Sequence, residues 1–121
     1  MTDELRGDEA KEQTHRQFLD VADVDTWSDL QVVMVQLGRA APYWRAQDTQ
    51  GAVVPQQGWE RDWDRRFRLV EYKYIEWCEL RPKPDSTGLT LADIVGVCEA
   101  IGFQTDVLAD TVRVLGYRLL R

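Results

Sequence analysis

Carboxylates crowd around the tryptophans in the middle of this chain, and their type and spacing are the first hint of chemistry. A pair of carboxylates whose pKa values are pushed apart by burial can act as general acid and base, or can hold a hard cation. Arginine and lysine side chains interleave with them, which favours surface ion pairs over a catalytic dyad. The acidic residues are Glu60, Asp62, Asp64, Glu71, Glu76 and Glu79, and the basic ones are Arg61, Arg65, Arg66, Arg68 and Lys73.

Other kinds of catalytic site find less support in the sequence. A nucleophilic site needs a Ser, Cys or Thr beside a histidine, and the one histidine, His15, lies in a charged stretch with few apolar residues. The glycines form neither of the phosphate-binding patterns GxGxxG and GxxxxGK. Cys78 and Cys98 have no CxxC spacing, so we expect both to be buried core residues. The sequence therefore predicts a protein that is not an enzyme and has no cofactor and no metal.

Aromatic residues are concentrated between residues 44 and 77. If a strand runs through residues 72–77, then Tyr72, Tyr74 and Glu76 share one face, which is exposed where helices cover only the other face. Tyrosine, tryptophan and charged residues in such a position are typical of protein-binding hot spots. The predicted partner-binding residues are Trp59, Glu60, Asp62, Asp64, Tyr72, Tyr74 and Glu76.

Two alternatives to a binding role stay open at this point. One is a small enzyme or ligand-binding protein with a carboxylate base and an aromatic pocket, lined by Trp44, Trp59, Trp63 and Tyr72. The other is a structural subunit that associates with itself through an exposed sheet face or edge. Aromatic residues also fill cores, and we expect Trp27, Trp63 and Trp77 to anchor the core.

Two helices must help to position these residues. In the first, apolar residues recur at spacings of three and four, with Asp25 or Thr26 as the cap and Gly38 at the end. The second begins after Thr90, has Asp93 three residues later and closes at Gly102. The apolar stripes are Trp27, Leu30, Val33, Met34 and Leu37 in the first helix, and Leu91, Ile94, Val95, Cys98 and Ile101 in the second.

The rest of the chain predicts strands and loops. A short strand is expected at residues 43–48 and an exposed loop at 49–58, followed by a segment at 59–67 that is irregular or begins a strand. The apolar and aromatic run at 67–80 predicts the central strand, with a separate strand at 67–70 as an option. A terminal hairpin is expected at residues 103–107 and 111–120. Along the chain, runs of consecutive strands alternate with helices, which predicts an α+β two-layer sandwich. We expect an antiparallel sheet of about four strands with two main helices on one face.

Size and charge restrict the function further. The chain has 121 residues and a net charge of −6, which fits a single domain and argues against nucleic acid or an anionic membrane as the partner. Residues 1–26 carry eight acidic and three basic side chains. We therefore predict an acidic, mobile or weakly helical arm at residues 1–20 and a single globular domain at 21–121. No leader segment and no long apolar run are present, which predicts a cytoplasmic location.

Several short motifs, taken in order, resemble a family of small bacterial proteins of unknown function with a YKxIEW-type central strand. The motifs are W-x-x-L from Trp27, P-x-W-R from Pro42, a Trp- and Asp-rich turn from Trp59, Y-K-x-I-E-W from Tyr72 and V-x-G-Y from Val114. The resemblance covers roughly residues 26–118. It carries no catalytic residues over to this chain, and the acidic arm and the short segment between Trp63 and Tyr72 depart from the pattern.

Small, acidic α+β proteins of this sort also resemble the immunity proteins encoded beside secreted bacterial toxins. This resemblance is one of class, since no site residue is shared. It implies a non-enzymatic cytoplasmic binding protein that neutralises a cognate toxin by direct protein–protein binding. Carboxylates such as Glu60, Asp62 and Asp64 would then meet a partner with a basic surface.

Overall fold

The structure, a computed structural model, describes residues 18–85 and 87–119. His15 and most of the predicted N-terminal arm lie outside these residues. The described chain contains two α-helices and seven strands in the order β1, α1, β2, β3, β4, α2, β5, β6, β7. The strands are β1 Phe18–Asp20, β2 Tyr43–Asp48, β3 Val53–Val54, β4 Ile75–Arg81, β5 Thr105–Val107, β6 Val112–Leu115 and β7 Tyr117–Leu119, and the helices are α1 Val24–Leu37 and α2 Leu91–Ile101.

Both helices form where the sequence predicts them. Thr90 caps α2 in a capping box, because its side chain accepts a hydrogen bond from the Asp93 backbone while the Asp93 carboxylate accepts one from the Thr90 backbone. The cap of α1 differs from the prediction. It is Asp23, whose carboxylate accepts a hydrogen bond from the Thr26 backbone at 2.9 Å, so the predicted caps Asp25 and Thr26 lie inside the first turn.

Five antiparallel strands form the main sheet in the order β3, β2, β4, β6, β5. The α+β class is confirmed, and the sheet has five strands where about four were expected, because β3 adds a two-residue edge strand inside the predicted loop. Alternate residues of the central strands point into one core cluster that also contains the buried residues of α1 and α2. Both helices therefore cover the same face of the sheet. Among the described elements, none covers the other face, which we call the open face.

The predicted central strand at 67–80 is wrong in its first half. Phe67–Leu69 and Tyr72–Tyr74 are 3₁₀ turns, and β4 begins only at Ile75. Tyr72 and Tyr74 therefore do not alternate along a strand. Glu76 is an extra residue between the pairs Gln47↔Trp77 and Asp48↔Ile75. This bulge places Ile75 in the core and Trp77 on the open face, although a regular strand would give both residues the same face.

Aromatic rings from the irregular segment fill the core. The Phe67 ring is fully buried, and its centroid lies 4.7 Å from that of Trp63 and 4.9 Å from that of Trp44. Tyr72 packs on the same ring at 5.5 Å. The ligand pocket predicted from Trp44, Trp59, Trp63 and Tyr72 is therefore not formed, because three of these residues pack against Phe67 in the core. The prediction that Trp27 and Trp63 anchor the core is confirmed.

The two cysteines are free and buried, as predicted. Cys78 on β4 and Cys98 on α2 both belong to the core cluster. Burial raises the pKa of the Cys98 thiol to about 12 and that of Cys78 well above its usual value. Neither group is thus a thiolate, the nucleophilic form, near neutral pH.

A second, two-stranded sheet joins the ends of the described chain. β1 pairs antiparallel with β7, with Phe18 opposite Leu119. The last three residues of the predicted arm, Phe18–Asp20, are therefore part of the fold. The hairpin of β5 and β6 is confirmed, but the strand predicted at 111–120 is broken at Gly116, where the chain leaves the main sheet for the small one.

Tyr117 links β7 to the turn before β4 and gives a pH-dependent prediction. Its hydroxyl donates a hydrogen bond to the Lys73 carbonyl at 2.5 Å, and burial, helped by the charge of Asp20, raises its pKa to about 12. The unfolded value is about 10, so the stability contributed by the neutral phenol is lost as the pH rises from about 10 to about 12. At neutral pH we expect Tyr117→Phe to be less stable than the wild type by about 1 kcal/mol.

This gap between wild type and Tyr117→Phe should shrink over the same alkaline range, measured by urea unfolding. The cysteines titrate in both proteins, so their contribution cancels in the comparison. Parallel stability curves for the two proteins up to the highest pH would contradict the assignment.

Candidate functional site

The carboxylates predicted to bind a partner between Glu60 and Asp64 already interact with groups of their own loop. The Glu60 side chain accepts hydrogen bonds from the backbone of Arg61 and Asp62 at 3.0 and 2.9 Å. Asp62 accepts from the backbone of Asp64 and Arg65, and the bond from Arg65 is the main cause of its lowered pKa. Asp64 forms an exposed ion pair with Arg68 at 3.7 Å, a contact of small energetic value. Glu60 and Asp62 thus hold the turn in place.

The tyrosines predicted as exposed anchors are also placed differently. Tyr74 is only 8% exposed, so the expectation that it lies in solvent is wrong. Tyr72 is half-buried against the core. Glu76 does reach the open face, where it accepts a hydrogen bond from the Gln47 amide at 3.2 Å. Of the seven predicted residues, Trp59 and Glu76 lie on the open face.

A row of alternating charges crosses the open face. Strand pairing sets Arg45 on β2 opposite Glu79 on β4, Glu79 opposite Arg113 on β6, and Arg113 opposite Asp106 on β5. We call these four residues the charge row. Glu79 is at its centre, 3.5 Å from Arg113 and 4.0 Å from Arg45, and its side chain is only 12% exposed. Thr111 donates a further hydrogen bond to Glu79 at 3.1 Å.

Two tryptophans pack on the arginines of this row. The Arg113 guanidinium lies 4.1 Å from the centroid of the Trp77 ring, and that of Arg45 lies 5.5 Å from the Trp59 ring. Arg81, at the end of β4, approaches the same Trp59 ring at 5.6 Å. Cation–π contacts of this kind restrict the long arginine side chains. The open face is therefore a pre-ordered layer of tryptophan and arginine.

A groove opens at the end of the open face, beside Trp59. Its volume is about 700 Å³, and its walls are mainly apolar. Trp59 reaches it because Glu60 pairs with Trp44 in an isolated bridge that continues the sheet edge past β3. The lining residues are Tyr43, Trp59, Arg81, Pro82, Pro84, Leu91 and Asp110. Apart from Trp59, the sequence prediction missed all of them.

One of the missed lining residues, Tyr43, could have been identified from the alternation of buried and exposed residues along β2. The strand at 43–48 was predicted, and Trp44 and Ala46 are buried on its core face. Tyr43 and Arg45 then had to lie on the opposite face. No comparable signal exists for Leu91 and Asp110, because they come from a helix and a turn that only the fold brings to the groove.

Among the described residues, neither a metal-ligand cluster nor a membrane-spanning helix is found. Within residues 18–85 and 87–119, no group of three or more His, Cys, Asp or Glu side chains is arranged to hold a metal ion. Over the same ranges, no helix has the length and the apolar composition that crossing a membrane requires.

The comparison with protein families gives one result. A family of unknown function, DUF6678, matches residues 10–119 of the chain. The protein belongs to the DUF6678 family. No curated protein and no solved structure matches it. The DUF6678 match covers every residue that the structure describes, so the charge row and the groove both lie within the family's domain.

Proposed function

We propose that this DUF6678 protein is a non-enzymatic binding protein whose open face is its interaction surface. The observation that carries the proposal is a layer of arginines that stack on Trp59 and on the largely buried Trp77 ring, on a sheet face that no described helix covers. Tryptophan and arginine are the residues most enriched in interface hot spots. Here they are held in place before binding, which lowers the entropy lost when a complex forms.

The charge row adds specificity to this surface. Arg45, Glu79, Arg113 and Asp106 alternate in sign across four strands, so a partner must present charges of the opposite order. Juxtaposed like charges would disfavour other proteins. A partner with a basic surface stays a prediction. The carboxylates of Glu60 and Asp62 give it little support, because they accept hydrogen bonds from the backbone of their own turn.

The partner that we propose is a cognate bacterial toxin, and the protein is then a cytoplasmic immunity protein. The proposal rests on the resemblance of class between small, acidic α+β proteins and immunity proteins, together with the pre-ordered open face. Binding of the toxin through this face would neutralise it by covering its active site.

The test is to mix the purified protein with the product of the adjacent gene and to measure affinity by calorimetry. We expect Trp59→Ala to weaken the complex by at least ~2 kcal/mol, about 30-fold in Kd, because the variant removes a hot-spot ring. Val35→Ala is the matched control, since Val35 is 42% exposed on α1, on the other side of the sheet. This change should alter affinity by less than ~0.5 kcal/mol.

Growth and oligomeric state complete the experiment. Co-expression of the wild type should rescue cells that carry the toxin, and Trp59→Ala should rescue them less well. Equal binding by wild type and Trp59→Ala would move the interface off the open face, and the absence of any complex or rescue would reject the immunity role. Light scattering that finds a dimer broken by Trp59→Ala would instead favour self-association.

A further inference from the structure

We infer that the groove beside Trp59 binds a short, extended partner segment in which proline alternates with acidic residues. The inference rests on the proposed binding role, for which it names the chemistry of the partner. It comes from two properties of the groove, the rings that line it and the charge that its lining leaves unpaired.

Rigid rings dominate the groove walls. Trp59 and Tyr43 supply aromatic faces, and Pro82 and Pro84 supply further flat apolar surface. Aromatic-lined grooves bind proline-rich segments because a polyproline II chain is already extended and loses little entropy on binding. The open shape suits a chain that passes along the surface, and a volume of about 700 Å³ is enough for a few residues.

Arg81 gives the groove its preference for acid. Its guanidinium lies against the Trp59 ring, 5.6 Å from the centroid. Arg81 takes part in none of the ion pairs found among the described residues. Stacking on a ring leaves the N–H edge of a guanidinium available for a bidentate carboxylate. Arg45, by contrast, already faces Glu79 at 4.0 Å. A carboxylate that enters the groove therefore finds Arg81 ready to pair with it.

A lysine lies just outside the groove and has partners of its own. Lys83 lies 5.7 Å from the centroid of the Tyr43 ring, where its ammonium donates a hydrogen bond to the Arg39 carbonyl at 2.9 Å. Asp110 is the one carboxylate of the lining. Within the lining Arg81 and Asp110 balance in charge, and the charge of Lys83 acts on Asp85, whose pKa it helps to lower. The preference for acid therefore rests on Arg81.

The test uses two capped octapeptides, one of alternating proline and glutamate and one of alternating proline and lysine. Binding to the full chain is followed by NMR through the indole N–H signals, with Trp59→Phe to assign the signal of Trp59. We expect saturable shifts at the Trp59 signal with the glutamate peptide, and binding of the lysine peptide weaker by at least about tenfold.

Variants separate a specific site from general charge attraction. Arg81→Gln keeps a side chain of similar length and should remove most of the preference for glutamate. Arg118→Gln removes the same charge on β7, outside the groove lining, where Arg118 pairs with Asp106 at 3.5 Å. This control should keep the preference. Equal binding of the two peptides, no saturation with either, or an unchanged preference in Arg81→Gln would overturn the inference.

The outcome is independent of the toxin experiment. If the peptides fail while Trp59→Ala still weakens the toxin complex, the proposed function stands and the groove inference falls. If the glutamate peptide binds as expected while no toxin complex forms, the groove is a peptide site and the immunity role is rejected.

Discussion

Replacing Gly116 by alanine is expected to destabilise the protein by about 3 kcal/mol, at the upper end of what overpacking costs. A Cβ atom at this position would lie 2.0 Å from the Ile75 carbonyl oxygen and 3.1 Å from Cζ2 of Trp27. The backbone cannot move away easily, because the Gly116 N–H donates to the Glu76 carbonyl at 2.8 Å and the Gly116 carbonyl accepts from Val21 at 2.9 Å. The change therefore forces β4 and the junction of β6 and β7 apart.

Gly96 provides a matched control for this substitution. It lies inside α2, it is exposed, and a Cβ atom there would have no neighbour within 4 Å. Gly96→Ala should raise stability by roughly 0.5–1 kcal/mol, since alanine is the better helix former. Urea unfolding of both variants measures the difference. A Gly116→Ala protein as stable as the wild type would show that the close approach of β4 and Gly116 is not as described.

The second large effect is expected at Phe67. Its ring is fully buried between the rings of Trp27, Trp44, Trp63 and Tyr72, at centroid distances from 4.7 to 6.4 Å. Phe67→Ala should cost about 3–5 kcal/mol, because four large rings cannot collapse into the cavity that it leaves. Thermal unfolding measured by near-UV circular dichroism would also report the loss of aromatic packing.

Leu69 is the control for Phe67, because it lies in the same 3₁₀ turn and is 81% exposed. Leu69→Ala should change the free energy of unfolding by less than ~0.5 kcal/mol. Similar losses in the two variants would mean that the turn as a whole, and not the Phe67 ring, supports the core.

Three independent signals made α2 predictable, whereas in α1 the apolar stripe and the Gly38 terminus agreed and the cap, Asp23, lies earlier in the chain than expected. In α2, the apolar stripe, the Thr90 cap and the Gly102 terminus all point to the same bounds. The segment from Trp59 to Phe67 gave no such agreement. Its aromatic residues fit a period of two and a period of four equally well. The structure uses them in turns, whose carboxylates cap backbone N–H groups while the rings of Trp63 and Phe67 pack inward.

The candidate site was only partly predictable for a related reason. Trp59 was identified by its type, and Tyr43 and Arg45 follow from the alternation of β2. The bulge at Glu76 reversed the expected faces of β4, because one extra residue moves Trp77 from the core to the open face. The turns before β4 buried Tyr74, which a continuous strand would have exposed. A pattern of residue types does not specify such local irregularities.

The pairing of β1 with β7 has a consequence for how the chain can be cut and rejoined. Phe18 and Leu119 are direct neighbours across an antiparallel ladder, so their Cα atoms lie within about 5.5 Å of each other. A short linker could therefore join the two strands, with new ends placed in the exposed turn at residues 50–52, between β2 and β3. By the same pairing, a deletion that extends past residue 17 removes the strand that β7 needs. The contribution of the acidic segment to binding must therefore be measured with a cut before Phe18.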